Sequence, residues 1–492
     1  MRRLIVAFVT ALSVAQACPA HAGVPTNEKV GEVLIVAQRA LEAGRPTVAL
    51  DKLDRLKPDT LQGRVRAAVQ LQRAMAFLML NRRADMQTAF QAARRATPSE
   101  VMPLSVQWNI AASVADRPLA VDALDTMIDG FPANARDIDS EQIWPLLRGL
   151  RAKSDTTAAD RLTLRLAAIG YGADSFVDRD AMAVAAIDIM LTRSDVDGAK
   201  ALVQNVVDRQ FLIALLTRKK YARLWSSIEA RVEDGMRLPL VQAVMSSENW
   251  FQREPNSIAA RRTLINAYQN AGRNVDADRT ASAFAKTPEE IATIDEAGAW
   301  LVNDHGITLL ALGRPEASDA RMAALAVIDI KKSPWLISML INRAEFLVRS
   351  GRYGQAELLF ADLTTHAKQY GSPYAIQLVR RLKACAAHKQ GTSSAAALID
   401  DMIAHTKDAR GATAEGLICL GRRDEAAALA VEALSDPDQA DGMIDTVLPP
   451  LPSRDPSSWG AAELYTYPGV RAAIDKLVRP LPHRLVVKEP VD

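Results

Sequence analysis

The stretch Asn342-Arg343-Ala344-Glu345-Phe346-Leu347-Val348-Arg349-Ser350-Gly351-Arg352-Tyr353-Gly354-Gln355-Ala356-Glu357-Leu358-Leu359-Phe360 decides the fold. A helix stops at Gly351, where a residue without Cβ can turn the chain. A second helix restarts beyond it, with Ala356, Phe360 and Leu363 spaced four and three apart on one face. The small Ala356 permits close helix approach, and Phe360 fills the space beyond. Such a hairpin cannot bury its apolar stripe alone and needs neighbours stacked upon it.

The pattern recurs along the chain. Gly272 leads to Ala277, Ala281 and Phe284; Gly313 to Ser318, Met322 and Leu325; Gly391 to Ala396, Asp400 and Ile403; Gly421 to Ala426, Ala430 and Ala433. Nearer the N-terminus Gly44 leads to Ala49, Leu53 and Leu56, Asn81 to Met86, Phe90 and Ala93, and Ala115 to Ala120, Leu124 and Met127. Residues 140–250 fit poorly, although Ser194 with Ala199, Val203 and Val206 keeps the spacing. Pro98 and Pro132 stand one tetratricopeptide-repeat period apart.

The run Leu420-Gly421-Arg422-Arg423-Asp424-Glu425-Ala426 and the block Gly351-Arg352-Tyr353 resemble the loop and second helix of that repeat. The turn spacing drifts among the later units, shortest from Gly391 to Gly421 and longest from Gly272 to Gly313. The Trp and Leu-Gly usual in the family's first helix are mostly missing. The resemblance implies an all-α protein: a degenerate tetratricopeptide-like (TPR-like) right-handed α-solenoid of stacked helical hairpins. Three regions are expected in the mature chain: a degenerate array over 23–240, a better-formed one over 256–450, and a capping helix with a tail over 451–492. The stretch from Arg237-Leu238-Pro239 to Pro255 separates the two arrays in this reading.

Composition agrees. Of 492 residues 49% are hydrophobic, 24% charged and 5% aromatic, too apolar for a disordered chain and too charged for a polytopic membrane protein. Arg2 and Arg3, the apolar run Leu4–Leu12 and the small-residue site Ala20-His21-Ala22 have the order of a secretory signal peptide over residues 1–22, cleaved after Ala22. Gln16 ahead of Cys18 does not match a lipoprotein signal. No later stretch is apolar for long enough to anchor the mature chain. The expected location is periplasmic or secreted. Removing Arg2 and Arg3 from 60 basic and 58 acidic residues leaves no net charge, so no nucleic-acid partner is expected.

Catalytic and metal signatures are lacking. Ser247-Glu248-Asn249-Trp250-Phe251 faintly resembles the Glu-Ser region of lytic transglycosylases, but Glu248 is followed by Asn249, and the chain then runs into a repeat's first helix. His305, His366, His388, His405 and His483 show no ligand spacing, and no phosphate loop or nucleophile elbow appears. The expectation is therefore a non-enzyme without cofactor or metal. Cys385 and Cys419, one repeat period apart in adjacent first helices, form a possible disulfide, although a one-turn offset from their turns works against it.

First helices of such an array line its inner surface, where polar residues grip a peptide or partner helix. Candidate groove residues are Arg262, Asn266, Gln269 and Asn270, then Asn303, then Asn342, Glu345 and Arg349. Arg262 and Asn266 resemble the start of a carboxylate clamp, but Ser338 and Asn342 stand where its third unit needs cations. The function expected is an exported, non-catalytic scaffold binding an envelope protein or peptide; the alternative is a helical platform for cell-wall or polysaccharide processing.

Overall fold

A computed structural model describes residues 27–153, 155–448, 461–487 and 490–491. The signal-peptide reading of residues 1–22, Cys18, the Pro-rich run 449–452 and Trp459 lie outside the described residues. The chain is all-α: among the described residues the extended pairing is confined to an isolated bridge between Arg218 and Val478. No described helix is long and apolar enough to cross a membrane. Packing divides the chain into two compact units, between Ala173 and Asp174.

The first unit contains α1 (Asn27–Glu42), α2 (Pro46–Asp54), α3 (Gly63–Met79), α4 (Arg83–Ala96), α5 (Met102–Ser113), α6 (Arg117–Gly130), the short α7 (Pro132–Arg136), α8 (Ser140–Ala152) and α9 (Thr156–Ala168). The second begins with α10 (Phe176–Thr192), α11 (Val196–Val203), α12 (Arg209–Thr217), α13 (Trp225–Val232) and α14 (Arg237–Arg253). It continues through α15 (Ile258–Ala271), α16 (Asn274–Ser282), α17 (Pro288–Ala292), α18 (Glu296–Ala311), α19 (Pro315–Ala323), α20 (Ile337–Arg349) and α21 (Tyr353–Tyr370). Then follow α22 (Pro373–Lys389), α23 (Ser394–Ala404), α24 (Arg410–Cys419), α25 (Arg423–Leu434), α26 (Pro437–Val447) and α27 (Pro468–Leu477). Most consecutive helices on either side of the turns read from the sequence pack as hairpins, and in the second unit the first helices α15, α18, α20, α22, α24 and α26 pack side by side in chain order.

All nine turns read from the sequence adopt one geometry. A residue with positive φ (Gly44, Asn81, Ala115, Ser194, Gly272, Gly313, Gly351, Gly391 or Gly421) ends the first helix. The residue after it returns its N–H five positions: Arg352 donates to the Leu347 carbonyl at 2.8 Å, Asp116 to Ala111 at 2.9 Å and Arg422 to Leu417 at 2.9 Å. The positive-φ residue itself donates three back, Gly351 to Val348 at 3.1 Å. This is the Schellman closure, which satisfies the carbonyls that a helix end leaves open.

Behind the turns the expected small and apolar residues of the second helices are buried: Ala49, Met86, Ala120, Ala199, Ala277, Ser318, Ala356 and Ala426, each five positions past its turn. The unit after Gly391 differs. There the buried set is Ala395, Ile399 and Met402, one residue earlier than expected, and Ala396, Asp400 and Ile403 face solvent. The helix rotates because burying Asp400 without its solvent is costly, and outside it bonds Arg422 at 3.0 Å.

Two further expectations are corrected. Arg237–Arg253, read as a separator, is the helix α14, with Pro239 tolerated in its first turn and Leu240, Ala243, Val244 and Ser247 buried. Within 140–250 the repeat is broken by the short helices α11, α12 and α13 and by 3-10 turns at Lys219–Leu224 and Asp234–Met236. Fully buried Asp180 ties this stretch by accepting the N–H groups of Val207 and Asp208, both at 2.6 Å. Burial raises its pKa to about 6 against the opposing charge of Arg179. Nor are the described residues after Pro480 a free tail, since Leu485 and Val487 are buried in the core of the second unit.

The turn geometry predicts opposite effects of two substitutions. Ala115 holds φ at 52°, strained for a residue with Cβ, so Ala115→Gly stabilises the protein by roughly 0.5–1 kcal/mol. Gly351, at φ 75°, loses about 1 kcal/mol on change to Ala. Urea unfolding of both variants reads the two signs.

Candidate functional site

The first helices of the last four hairpin layers share a cleft of about 690 Å³ inside the second unit. Helix α20 contributes Ser338, Ile341, Asn342, Glu345 and Arg349; α22 contributes Tyr374, Leu378 and Arg381; α24 contributes Arg410, Ala412 and Glu415; α26 contributes Gln439, Met443 and Thr446. Each set recurs at helical spacing, so one face of each helix looks into the cleft. The floor mixes apolar Ile341 and Met443 with a charge ladder that crosses three helices.

Arg381 is the centre of that ladder. It is 4% exposed, lies 2.9 Å from Glu345 and also bonds Glu415, while Arg349 bonds Glu345 one turn away. Burial opposes the Arg381 charge, but the two carboxylates outweigh it and hold its pKa above the ordinary arginine value. Cation and anion alternate from Arg349 through Glu345 and Arg381 to Glu415, which holds the three helices in register. Above the ladder Tyr374 is 55% exposed, and Lys407 stands at the rim.

Of the residues expected to form a groove, Asn342, Glu345 and Arg349 line this cleft. The others sit along neighbouring first helices, where several stitch helix to helix. Arg262 pairs with Asp304 at 2.9 Å, Gln269 donates to Thr308 at 2.7 Å and Asn270 to Asp208 at 3.0 Å. Asn303 is buried and accepts from Asn342 at 3.1 Å, which links that row to the cleft. Asn266 is half-buried on α15. Burial pushes the Asp304 carboxyl up, with Arg262 opposing.

Sequence reading missed Tyr374, Arg381, Lys407, Arg410, Glu415 and the α26 face. A signal existed for one of them: Glu415 stands six positions before Gly421, as Glu345 stands six before Gly351. Glu248, set aside as a catalytic acid, lies mid-helix in α14 and accepts the Tyr268 hydroxyl at 2.8 Å. Among the described residues no three His, Cys, Asp or Glu side chains form a metal-binding group. His305 is buried against Asp278 at 2.8 Å, and burial lowers its pKa.

Cys385 on α22 and Cys419 at the end of α24 have Cα atoms 5.6 Å apart, within the span of a disulfide. The one-turn offset counted from their turns does not keep them apart.

No protein-family model and no curated protein matches the chain. Three solved structures similar to it are the Rap protein complexed with competence and sporulation factor, the Cut9–Hcn1 hetero-tetramer of the APC/C, and the TPR domain of P58(IPK). The Rap structure is 10% identical, covering 85% of this chain and 99% of that chain, with a TM-score of 0.35. Cut9–Hcn1 is 12% identical, covering 90% and 85%, with a TM-score of 0.31. The P58(IPK) domain is 12% identical, covering 89% and 98%, with a TM-score of 0.19. These scores carry no functional argument, and the hairpin architecture is read from the helices of this chain.

Two outcomes follow from the cleft. Arg381→Ala leaves Glu345 and Glu415 facing each other in a buried site and destabilises the second unit by about 3 kcal/mol. Combining Arg381→Met with Glu345→Gln and Glu415→Gln restores most of that loss in thermal unfolding. Under denaturing alkylation without reductant, Cys385 and Cys419 are both blocked as a disulfide, and reductant frees both; alkylation before reduction would exclude the bond.

Proposed function

We propose that this chain is an exported, periplasmic scaffold without catalytic activity, and that it holds an envelope protein by an extended segment laid across α20, α22, α24 and α26. The observation that carries this reading is the composition of the cleft. Asn342, Gln439, Ser338 and Thr446 offer the amides and hydroxyls that hydrogen-bond a peptide backbone, beside the apolar surfaces of Ile341, Leu378 and Met443. Tyr374 projects as an exposed aromatic of the kind that anchors interfaces. The buried ladder beneath keeps these groups fixed, which limits the ordering cost of binding. Export rests on the N-terminal sequence, with its Arg pair, apolar run and Ala20-His21-Ala22 site.

The test uses the native chain produced with its N-terminus and recovered from the periplasm, where the mature protein starts at Gly23. Tagged protein captures an envelope protein from detergent extracts, and Tyr374→Ala with Gln439→Ala lowers that capture about tenfold without changing the melting temperature. Retention of uncleaved precursor in the cytosol would sink the export half of the proposal. Retention of glycan in place of protein, unaffected by the cleft substitutions, would sink the scaffold half and favour a polysaccharide-processing platform.

A further inference from the structure

Residues 478–487 and 490–491 lie across the early helices of the second unit. Past Leu477 the chain leaves the last hairpins and runs onto the early helices of the unit. The Arg479 backbone N–H donates to the Thr217 carbonyl at 2.8 Å. Its guanidinium donates to the Leu216 carbonyl at 2.7 Å and to Glu229 at 2.6 Å, and lies 3.6 Å from the centroid of the Trp225 ring. Arg484 reaches the same Glu229 at 3.3 Å. The turn at His483–Leu485 packs on the turn at Asp234–Met236.

Leu485 and Val487, two positions apart, are buried in one apolar cluster with Ile228, Val232, Met236 and Tyr268. Val486 between them is extended and half-exposed. The Val491 N–H then donates to the Ala271 carbonyl, at the C-terminal end of α15, at 2.7 Å. Pro490 lies against Gly272, where an added Cβ would come within 3.0 Å of the Pro490 Cα.

A segment with alternate aliphatic anchors, a stacked arginine, a 3-10 turn and backbone bonds to helix termini resembles a peptide bound in a helical groove. It is unlike the paired helices that make up the rest of the unit. None of the α-helices lies within it. We infer that the groove between α13 and the α15–α16 hairpin is a peptide-binding site distinct from the cleft above, occupied in cis by residues 478–487 and 490–491 of this chain. Its ligand chemistry is an arginine followed at a short interval by branched aliphatic side chains at alternate positions. Glu229 and Trp225 read the arginine, and the apolar cluster reads the aliphatic pair.

The experiment titrates a fluorescent synthetic peptide of residues 478–492 into the full chain. In the wild type the tethered copy occupies the groove at high effective concentration and excludes the peptide. Leu485→Asp expels the tethered copy, so the peptide binds that variant at least about tenfold tighter than wild type. A peptide carrying Arg479→Ala binds it about tenfold more weakly, through loss of the stacked, charge-assisted contact. Should circular dichroism show Leu485→Asp unfolded, a chain with Arg479→Glu and Arg484→Glu repels its own segment from Glu229 while leaving the core intact, and the same titration is read there. Equal binding to wild type and released variant, or binding to neither, would overturn the inference.

Discussion

One backbone hydrogen bond sets the architecture. At each of nine hairpins the residue after a left-handed turn returns its N–H to a carbonyl five positions back, closing the helix end that would otherwise leave carbonyls open. That closure fixes where the next helix starts and so which residue, five positions on, meets the preceding helix. Small side chains at that position set the spacing within a hairpin, and larger ones behind them, such as Phe90 and Phe360, fill the layer. Gly306 is in close contact with the second helix of its hairpin, where an added Cβ would lie 2.7 Å from the Met322 Cε. Everything built on the first helices inherits its register from these turns.

The legible part of the fold was the part controlled by local chemistry. Gly, Asn, Ala and Ser at the turns, with a small residue five positions later, identified hairpins even where the family's aromatic signature is missing. The same logic slipped by one residue after Gly391, because a charged residue, Asp400, sat where the stripe was extrapolated and the helix turned to keep it wet. It failed for α14, since a proline in a first turn looks like a break in a one-dimensional reading. It failed again at the C-terminus, read as a tail although Leu485 and Val487 are buried against distant helices.

A smaller part of the candidate site was legible, for a related reason. Asn342, Glu345 and Arg349 stand out as polar residues on an apolar helix, so pattern alone finds them. Arg381 does not, because among the basic residues of α22 nothing local says which one is buried. What selects it is the pair of acids on flanking helices, one a repeat before it in sequence and the other a repeat after. Such a ladder contributes less to net stability than to register, since desolvating the charges offsets much of their attraction. Its effect is to hold neighbouring helices in register, and Cys385 and Cys419 lie on two of those helices.

Helix α26 shows what that rigidity implies. One of its faces gives Gln439, Met443 and Thr446 to the cleft, and another gives Asp441 and Asp445 to Arg218 and Lys220 near the beginning of the unit. A linear array of repeats unzips from its last member, whose outer side has nothing to lean on. Here the last members are laced to early ones, so fraying has no loose end from which to start. The second unit should therefore melt with the cooperativity of a closed hoop, in one step, instead of layer by layer.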